Sequence, residues 1–136
     1  MKKLLIGLIA LVAIYFVGPQ PQAPVLNASP TWTNIPDSMR QISSFVDMKE
    51  LVNKELKPNT KAKIIWADSL KPQKTKYAFL YVHGFSASQM EGDPVHRQVA
   101  QAFKGNLVLA RVAGHGEKTS DQTLGHVTAD DYYASV

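Results

Sequence analysis

Hydrophobic and polar positions predict regular elements over the last hundred residues. Between residues 37 and 57, apolar side chains recur near helical spacing, which predicts one or two helical segments with a break near Val46. Two runs rich in β-branched and aromatic residues, 62–68 and 76–83, predict strands. The second run is almost continuously apolar, so we expect that strand to be buried on both faces.

A helix and a third strand are predicted next. Asp93 is a favoured N-cap and Pro94 suits the first helical position, so a helix begins there and Gly105 ends it. Its inward stripe is predicted to consist of four apolar residues, Val95, Val99, Ala102 and Phe103. The run 106–112 is the next strand, which makes a β-α-β unit with parallel strands.

The remaining pattern is a polar, glycine-rich loop and one more helix. The loop covers residues 113–127, after which Thr128 is placed to cap a helix with Asp130 and Asp131 in its first turn. The predicted fold class is therefore α/β, a mostly parallel sheet with flanking helices, preceded by an N-terminal hydrophobic segment.

Residues 1–18 form that hydrophobic segment. Lys2 and Lys3 precede an apolar run that spans about 21 Å as a helix, short of the roughly 30 Å hydrocarbon core, which favours a cleaved signal peptide. The lack of a small-x-small cleavage site favours a retained membrane anchor, so both readings stay open. In either case the lysines place the later residues on the extracytoplasmic side.

Residues 19–36 carry five prolines and predict an extended linker, which leaves 37–136 as the folded domain. The chain has no cysteine, which excludes disulfides, a thiolate nucleophile and cysteine-based metal sites. Its formal charge of +4 is spread without a basic run. The sequence therefore predicts no metal, no cofactor and no nucleic-acid partner.

The candidate chemistry lies in the two loops that follow the parallel strands, because ligands collect at the carboxyl ends of such strands. The first loop opens with His83, Gly84 and Phe85, where a glycine at a sharp strand exit lets backbone N–H groups turn toward a bound oxygen. The second loop contains a tripeptide whose glycines permit a tight turn beside that site, Gly114, His115 and Gly116.

An apolar strand ending in "HGF", a capped helix, a second strand and then "GHG" resemble the opening half of the α/β-hydrolase superfamily, in its serine esterase, lipase and peptidase branch. The resemblance covers residues 62–136 and implies a partial α/β-hydrolase fold. It also implies that Phe85 supplies a backbone N–H of the oxyanion hole. The implied substrate-site loop residues are His83, Gly84, Ser86, Gly114, His115 and Gly116.

The resemblance implies the N-terminal portion of an exported or membrane-anchored serine hydrolase that acts on ester or amide bonds, with a small-molecule or lipid ester as substrate. In that family the nucleophile elbow follows later in the chain, so the catalytic nucleophile, acid and base are unknown and this chain is expected to be inactive alone. The alternative is a non-catalytic truncated relic or a binding module at the membrane surface.

Ser86 itself is an alternative nucleophile, because residues 84–88 are one residue short of the Gly-x-Ser-x-Gly pattern. Ser88 stands where the second glycine belongs, which favours a polar loop role for Ser86. The alternative triads would combine Ser86 with one of the carboxylates and one of the imidazoles on Asp93, Asp121, Asp130, His115 and His126. His96 is expected to face solvent, and no ligand spacing supports a metal site at the histidines.

Overall fold

The computed structural model describes residues 2–18, 35–51 and 55–135, without the side chains of residues 120 and 121. Most of the predicted linker 19–36 and part of the first predicted helical region therefore lie outside the described residues. Two short 3₁₀ turns, Gln89–Gly92 and Leu124–His126, accompany the helices and strands. The helices and strands are α1 (Lys2–Val17), α2 (Met39–Leu51), β1 (Lys63–Ile65), β2 (Ala78–Tyr81), α3 (Val95–Ala102), β3 (Asn106–Leu109), α4 (Ser120–Thr123) and α5 (Ala129–Ser135).

The sheet of the described residues has three short strands in the order β1-β3-β2. β2 pairs with β3 in parallel, as the β-α-β pattern predicts, and Tyr81 lies beside Leu109. β1 pairs with β3 antiparallel, with Lys63 opposite Leu109. The prediction of a mostly parallel sheet, and with it the partial α/β-hydrolase fold, is therefore wrong for this structure.

Asn106 shows why β1 and β2 lie on opposite sides of β3. Its side chain accepts a hydrogen bond from the Ala67 backbone N–H at 3.0 Å and donates one to the Gln73 carbonyl at 2.9 Å. Its own backbone N–H donates to the Thr75 hydroxyl at 3.1 Å. These hydrogen bonds hold the connection between β1 and β2 at the start of β3. The alternating apolar pattern of a strand does not indicate which strands become neighbours in a sheet, so the sequence did not predict this order.

One face of the sheet, which we call the closed face, carries the hydrophobic core. Ala100 of α3 packs against Leu107 and Leu109 of β3, which are 1% and 0% exposed. Partly buried side chains of β1 and β2 surround this cluster, namely Ile65, Phe79 and Tyr81. Full burial of each leucine stabilises the fold by about 1.5–3 kcal/mol.

The predicted inward stripe of α3 is wrong. Val95 is 63% exposed and Phe103 is 56% exposed, whereas His96 and Ala100 are the buried residues of this helix. The reason is that His96 Nε2 donates to the Gln89 carbonyl oxygen at 2.9 Å, which turns the ring inward. The predicted cap is also displaced by one residue, since Pro94 is the N-cap and the Asp93 carboxylate accepts from Arg97 Nε at 2.8 Å.

The opposite face, which we call the open face, is only partly covered. Strand β2 lies at the sheet edge and leaves Leu80 57% exposed, and Val82 directly after it is 44% exposed, so the prediction of burial on both faces is wrong. Helix α2 runs unbroken through Val46, against the predicted break. It contacts β1, and the Trp66 indole N–H donates to the Ser43 hydroxyl at 2.9 Å.

The two terminal helices are formed by the N-terminal apolar segment and by the residues that follow Thr128. The N-terminal apolar segment forms α1, which has 16 residues and buries none of them. Among the described residues, no helix combines the length and the apolar character that crossing a membrane requires. At the other end, Thr128 caps α5 as predicted, because its hydroxyl accepts from the Asp131 N–H while the Asp131 carboxylate accepts from the Thr128 N–H.

Candidate functional site

The two loops predicted to form a site do meet. The parallel pairing of β2 with β3 brings their carboxyl ends side by side, and the Ala110 N–H extends the ladder by donating to the Tyr81 carbonyl at 3.0 Å. The first loop then leaves through His83 and the second through Val112. Their proximity was predictable from strand order, because parallel neighbours end at the same edge of a sheet.

Two histidines join the loops in opposite directions. His83, in the first loop, accepts a hydrogen bond from the Val112 backbone N–H on Nε2 at 3.2 Å. His115, in the second loop, accepts one from the Ser86 backbone N–H on Nε2 at 2.9 Å. The ring centroids lie 4.9 Å apart, and the rings are only 6% and 1% exposed. Each loop therefore holds the other through a buried imidazole.

The other ring nitrogens fix the tautomers of both histidines. His83 Nδ1 lies 2.9 Å from the Gly84 carbonyl oxygen, and His115 Nδ1 lies 2.8 Å from the Ala113 carbonyl oxygen. A carbonyl oxygen only accepts and a backbone N–H only donates, so each ring carries its proton on Nδ1 and a lone pair on Nε2. Both rings are neutral in this arrangement.

Burial lowers the pKa of His83 below its ordinary value of 6.5, and the neighbouring His115 and Arg111 act in the same direction. The hydrogen bond to the Gly84 carbonyl and the Glu91 carboxylate oppose this shift. Because a buried cation without a full set of partners is costly, the environment favours the neutral ring that the hydrogen bonds require.

The turn from Gly84 to Ala87 presents one unoccupied donor. The Gly84 N–H donates to the Glu91 carboxylate at 2.9 Å, the Ser86 N–H to His115 and the Ala87 N–H to the Gly84 carbonyl at 3.2 Å. Within the described residues, the Phe85 N–H donates to no acceptor. The residue predicted to supply an oxyanion donor therefore carries the free N–H of this turn.

Glu91 is an acidic neighbour of the turn. Besides accepting from Gly84, its carboxylate accepts from the Tyr81 hydroxyl at 3.4 Å. Burial and the Glu91 charge raise the pKa of Tyr81, so its phenol stays protonated as a donor. The carboxylate thereby fixes the start of the turn to the end of β2.

Arg111 anchors the second loop to α2. Its Nε donates to the Glu50 carboxylate at 2.8 Å, and both side chains are largely buried. Its Nη1 donates to the His115 carbonyl at 3.3 Å and lies 3.8 Å from the Glu117 carboxylate. Neither Arg111 nor Glu50 was predicted as a site residue, because an arginine at a strand end and a glutamate on a helix are individually ordinary.

The predicted tight turn around His115 is present. Gly114 and Gly116 have φ values of +72° and +71°, which side chains rarely adopt. A Cβ at Gly114 would lie 2.6 Å from Val127, and one at Gly116 would lie 2.7 Å from Thr60. Both glycines are therefore needed to aim His115 at the first loop.

The arrangement gives no support to Ser86 as a nucleophile. Ser86 has a positive φ of 61°, and its hydroxyl makes no hydrogen bond to any described residue. The Nε2 lone pair of His115, which a general base needs, is occupied by the Ser86 backbone N–H. Its Nδ1 faces the Ala113 carbonyl where a triad would place a carboxylate.

Among the described residues, no hydrogen bond joins the other members of the alternative triads to Ser86 or His115. Asp93 is paired with Arg97, Asp130 is exposed on α5, and His126 is exposed at the end of a 3₁₀ turn. The side chain of Asp121 lies outside the described residues. Across the ranges 2–18, 35–51 and 55–135, no group of three histidine or acidic residues could hold a metal ion.

Two cavities flank the turn. A small one of about 170 Å³ lies beside Ser86, Ser88 and Lys57. A large apolar one of about 1120 Å³ lies along the open face and reaches Gly84 and Phe85. The Phe85 side chain is 77% exposed at the mouth of the large cavity, with its ring edge against His115.

His96 and Gln89 form a buried polar pair behind the first loop that the sequence did not reveal. The expectation that His96 faces solvent is wrong, since it is 8% exposed and its ring meets Tyr81 edge-on at 4.7 Å. Gln89 is 2% exposed and its amide donates to the carbonyls of Asn59 and Lys61. A buried glutamine in a polar loop leaves no periodic signal.

Comparisons with known proteins add no further identification: the chain matches no protein-family model, no curated protein and no solved structure.

Proposed function

We propose that this chain supplies the oxyanion-binding loops of a serine hydrolase that cleaves ester or amide bonds. The observation that carries the proposal is the Phe85 N–H, which donates to no described residue, lies in the loop that follows β2, and stands between backbone N–H groups that are hydrogen-bonded. In acyl transfer, a fixed backbone N–H stabilises the negative charge that develops on the carbonyl oxygen.

The catalytic nucleophile is proposed to come from residues other than those of this chain. A serine hydroxyl attacks only when a base removes its proton, and the imidazole beside Ser86 is occupied by a backbone N–H. The 136-residue chain should therefore neither react with a fluorophosphonate probe nor hydrolyse p-nitrophenyl butyrate faster than its Ser86→Ala variant.

The site is proposed to act on the extracytoplasmic side of a membrane, with the protein secreted or held there through its N-terminal segment. The support is the Lys2 and Lys3 pair in front of the apolar run of α1. The apolar cavity that begins at Phe85 suits the hydrocarbon part of a small-molecule or lipid ester.

The donor can be tested directly with butyrate as a carboxylate probe. In the ¹⁵N-labelled full chain in detergent micelles, butyrate should shift the Phe85 amide resonance saturably. Phe85→Ala keeps the backbone N–H and should retain this shift, whereas Phe85→Pro removes the N–H and should abolish binding. The proposal is contradicted if butyrate still shifts neighbouring amide resonances saturably in Phe85→Pro. It is also contradicted if butyrate does not shift the Phe85 amide resonance of the unmodified chain.

The reaction class needs a second experiment. Where the reading frame continues past Val136, expression of the longer product should add fluorophosphonate labelling at a serine beyond residue 136. Labelling of Ser86 in the 136-residue chain, lost in His115→Gln, would instead assign Ser86 as the nucleophile. Failure of the extended product to label at all would remove the hydrolase proposal.

A further inference from the structure

The hydrogen bonds between the two loops depend on the charge state of two imidazoles. His83 and His115 each accept a backbone N–H of the opposite loop on Nε2, from Val112 and Ser86 respectively. We call this reciprocal pair the histidine clasp. Since each Nδ1 already faces a carbonyl oxygen, protonation can occur only on the accepting nitrogen.

Protonation of either ring would break its hydrogen bond to the opposite loop. A protonated imidazole carries N–H groups on both nitrogens, so Nε2–H would point at the backbone N–H that it formerly accepted. The hydrogen bond is then lost and two donors face each other. The rings are buried and lie 4.9 Å apart, so a charge on one also disfavours a charge on the other.

We propose that His83 and His115 are positioning residues that hold the Phe85 donor turn in place only while both rings are neutral, so that acidification releases the turn. What the turn binds rests on the proposed function, whereas the clasp itself rests only on the two hydrogen bonds. His115 acts through Ser86, whose fixed N–H determines where the preceding Phe85 N–H points.

Charged and titratable groups reach the clasp from each element packed around it. Two of them, Arg111 and the second imidazole, oppose protonation of His83, and one, the Glu91 carboxylate, favours it. Arg111 is itself neutralised by carboxylates from α2 and the second loop. Among the described residues these groups include Glu91 from the first loop, Arg111 and Glu117 from the second, Glu50 from α2, Lys57 beside the small cavity, and Tyr132 of α5, whose ring lies 5.6 Å from that of His115.

The pH dependence of the clasp has a defined sign. The folded-state pKa of His83 lies below its ordinary value of 6.5, so the folded state binds fewer protons than the unfolded state near that pH. The stability that the neutral ring contributes is fully present above pH 6.5 and is lost as the pH falls through the lowered folded pKa. Loss of the hydrogen bond between the Val112 N–H and His83 is therefore expected on the acid side.

The tautomers provide the first test. Long-range ¹H–¹⁵N correlation spectra of the full chain in micelles, recorded near the upper end of the range of about pH 5–8, should show both rings protonated on Nδ1 alone. A ring that carries its proton on Nε2 there, or that is doubly protonated, could not accept the backbone N–H and would overturn the proposal.

A pH titration provides the second test, with His115→Gln as the matched variant. The amide resonances of Ser86 and Val112 should move as the pH falls, whereas in His115→Gln the Ser86 resonance should stay constant, because the glutamine carbonyl accepts without titrating. Persistence of the Ser86 titration in His115→Gln contradicts the clasp, as does its absence in the unmodified chain.

The two proposals can fail separately. If butyrate leaves Phe85 unaffected while the tautomers and the Ser86 titration are as expected, the clasp stands and the oxyanion function falls. If butyrate binds equally across about pH 5–8 while Ser86 does not titrate, the donor stands and the clasp is overturned.

Discussion

The two faces of the sheet carry the same kind of side chain and differ in what covers them. On the closed face, Leu107 and Leu109 are almost completely buried beneath α3. On the open face, Leu80 of β2 and Val82 directly after that strand remain about half exposed along the large cavity. Apolar composition therefore determines which strands form, while burial depends on the helix that each face receives.

Helix α2, which lies over the open face, is held there by polar contacts. Helix α2 reaches the end of β3 through the Glu50 carboxylate and the Arg111 guanidinium, which leave a large apolar cavity between them and the sheet. Helix α3, by contrast, inserts Ala100 into a hydrophobic cluster. The closed face should consequently respond to loss of apolar volume, and the open face to loss of charge.

Breaking the buried ion pair should give the largest effect. Glu50→Gln leaves Arg111 largely buried with Glu117, at 3.8 Å, as its remaining carboxylate neighbour among the described residues, so the free energy of unfolding should fall by about 3–5 kcal/mol. Asp93→Asn breaks the more exposed Arg97 pair and should cost at most about 1 kcal/mol. Urea denaturation followed by circular dichroism measures the free energy of unfolding of both variants. Equal losses would mean that the ion pair between α2 and Arg111 contributes no more than an exposed one.

The same substitution, leucine to alanine, can be made on each face to compare how much burial contributes to stability there. Leu107→Ala removes a fully buried side chain and should lower the free energy of unfolding by about 2–5 kcal/mol. Leu80→Ala makes the same chemical change on the open face and should cost about 0.5 kcal/mol or less. If Leu80→Ala is as costly as Leu107→Ala under the same urea titration, the open face is covered in solution.

Local signals in the sequence predicted the local structure well. The Thr128 cap with Asp131, the parallel pairing across residues 76–112 and the meeting of the two glycine-containing loops all follow from short-range patterns. The site residues are close together for the same reason, since strand order alone places His83 near His115.

Contacts between distant residues account for what the sequence did not show. The antiparallel β1 is set by the Asn106 side chain, which holds the connection between β1 and β2 through hydrogen bonds to residues 39 and 33 positions earlier in the chain. The inward turn of His96 depends on the Gln89 carbonyl, and a helix of eight residues has too little apolar surface to resist it. Neither contact leaves a periodic trace.

The smallest effect is expected from a substitution at Ser86, in the loop that follows β2. Ser86 lies beside the small cavity with a φ of 61°, where a residue with a Cβ is strained by roughly 1 kcal/mol. Ser86→Gly removes that strain and keeps the N–H that His115 accepts, while the flexible unfolded chain takes back part of the gain. The net result should be a stabilisation of a few tenths of a kcal/mol.

Ser88→Gly is the matched control, because the same change there should have the opposite sign. Ser88 has an extended backbone with a φ of −149° that gains nothing from glycine, and its hydroxyl accepts the Met90 N–H at the start of the 3₁₀ turn that leads to the closed face. Loss of this cap should destabilise by a few tenths of a kcal/mol. Parallel thermal melts distinguish the two variants, and destabilisation by both would mean that the Ser86 turn is unstrained and that its positive φ reflects the histidine clasp alone.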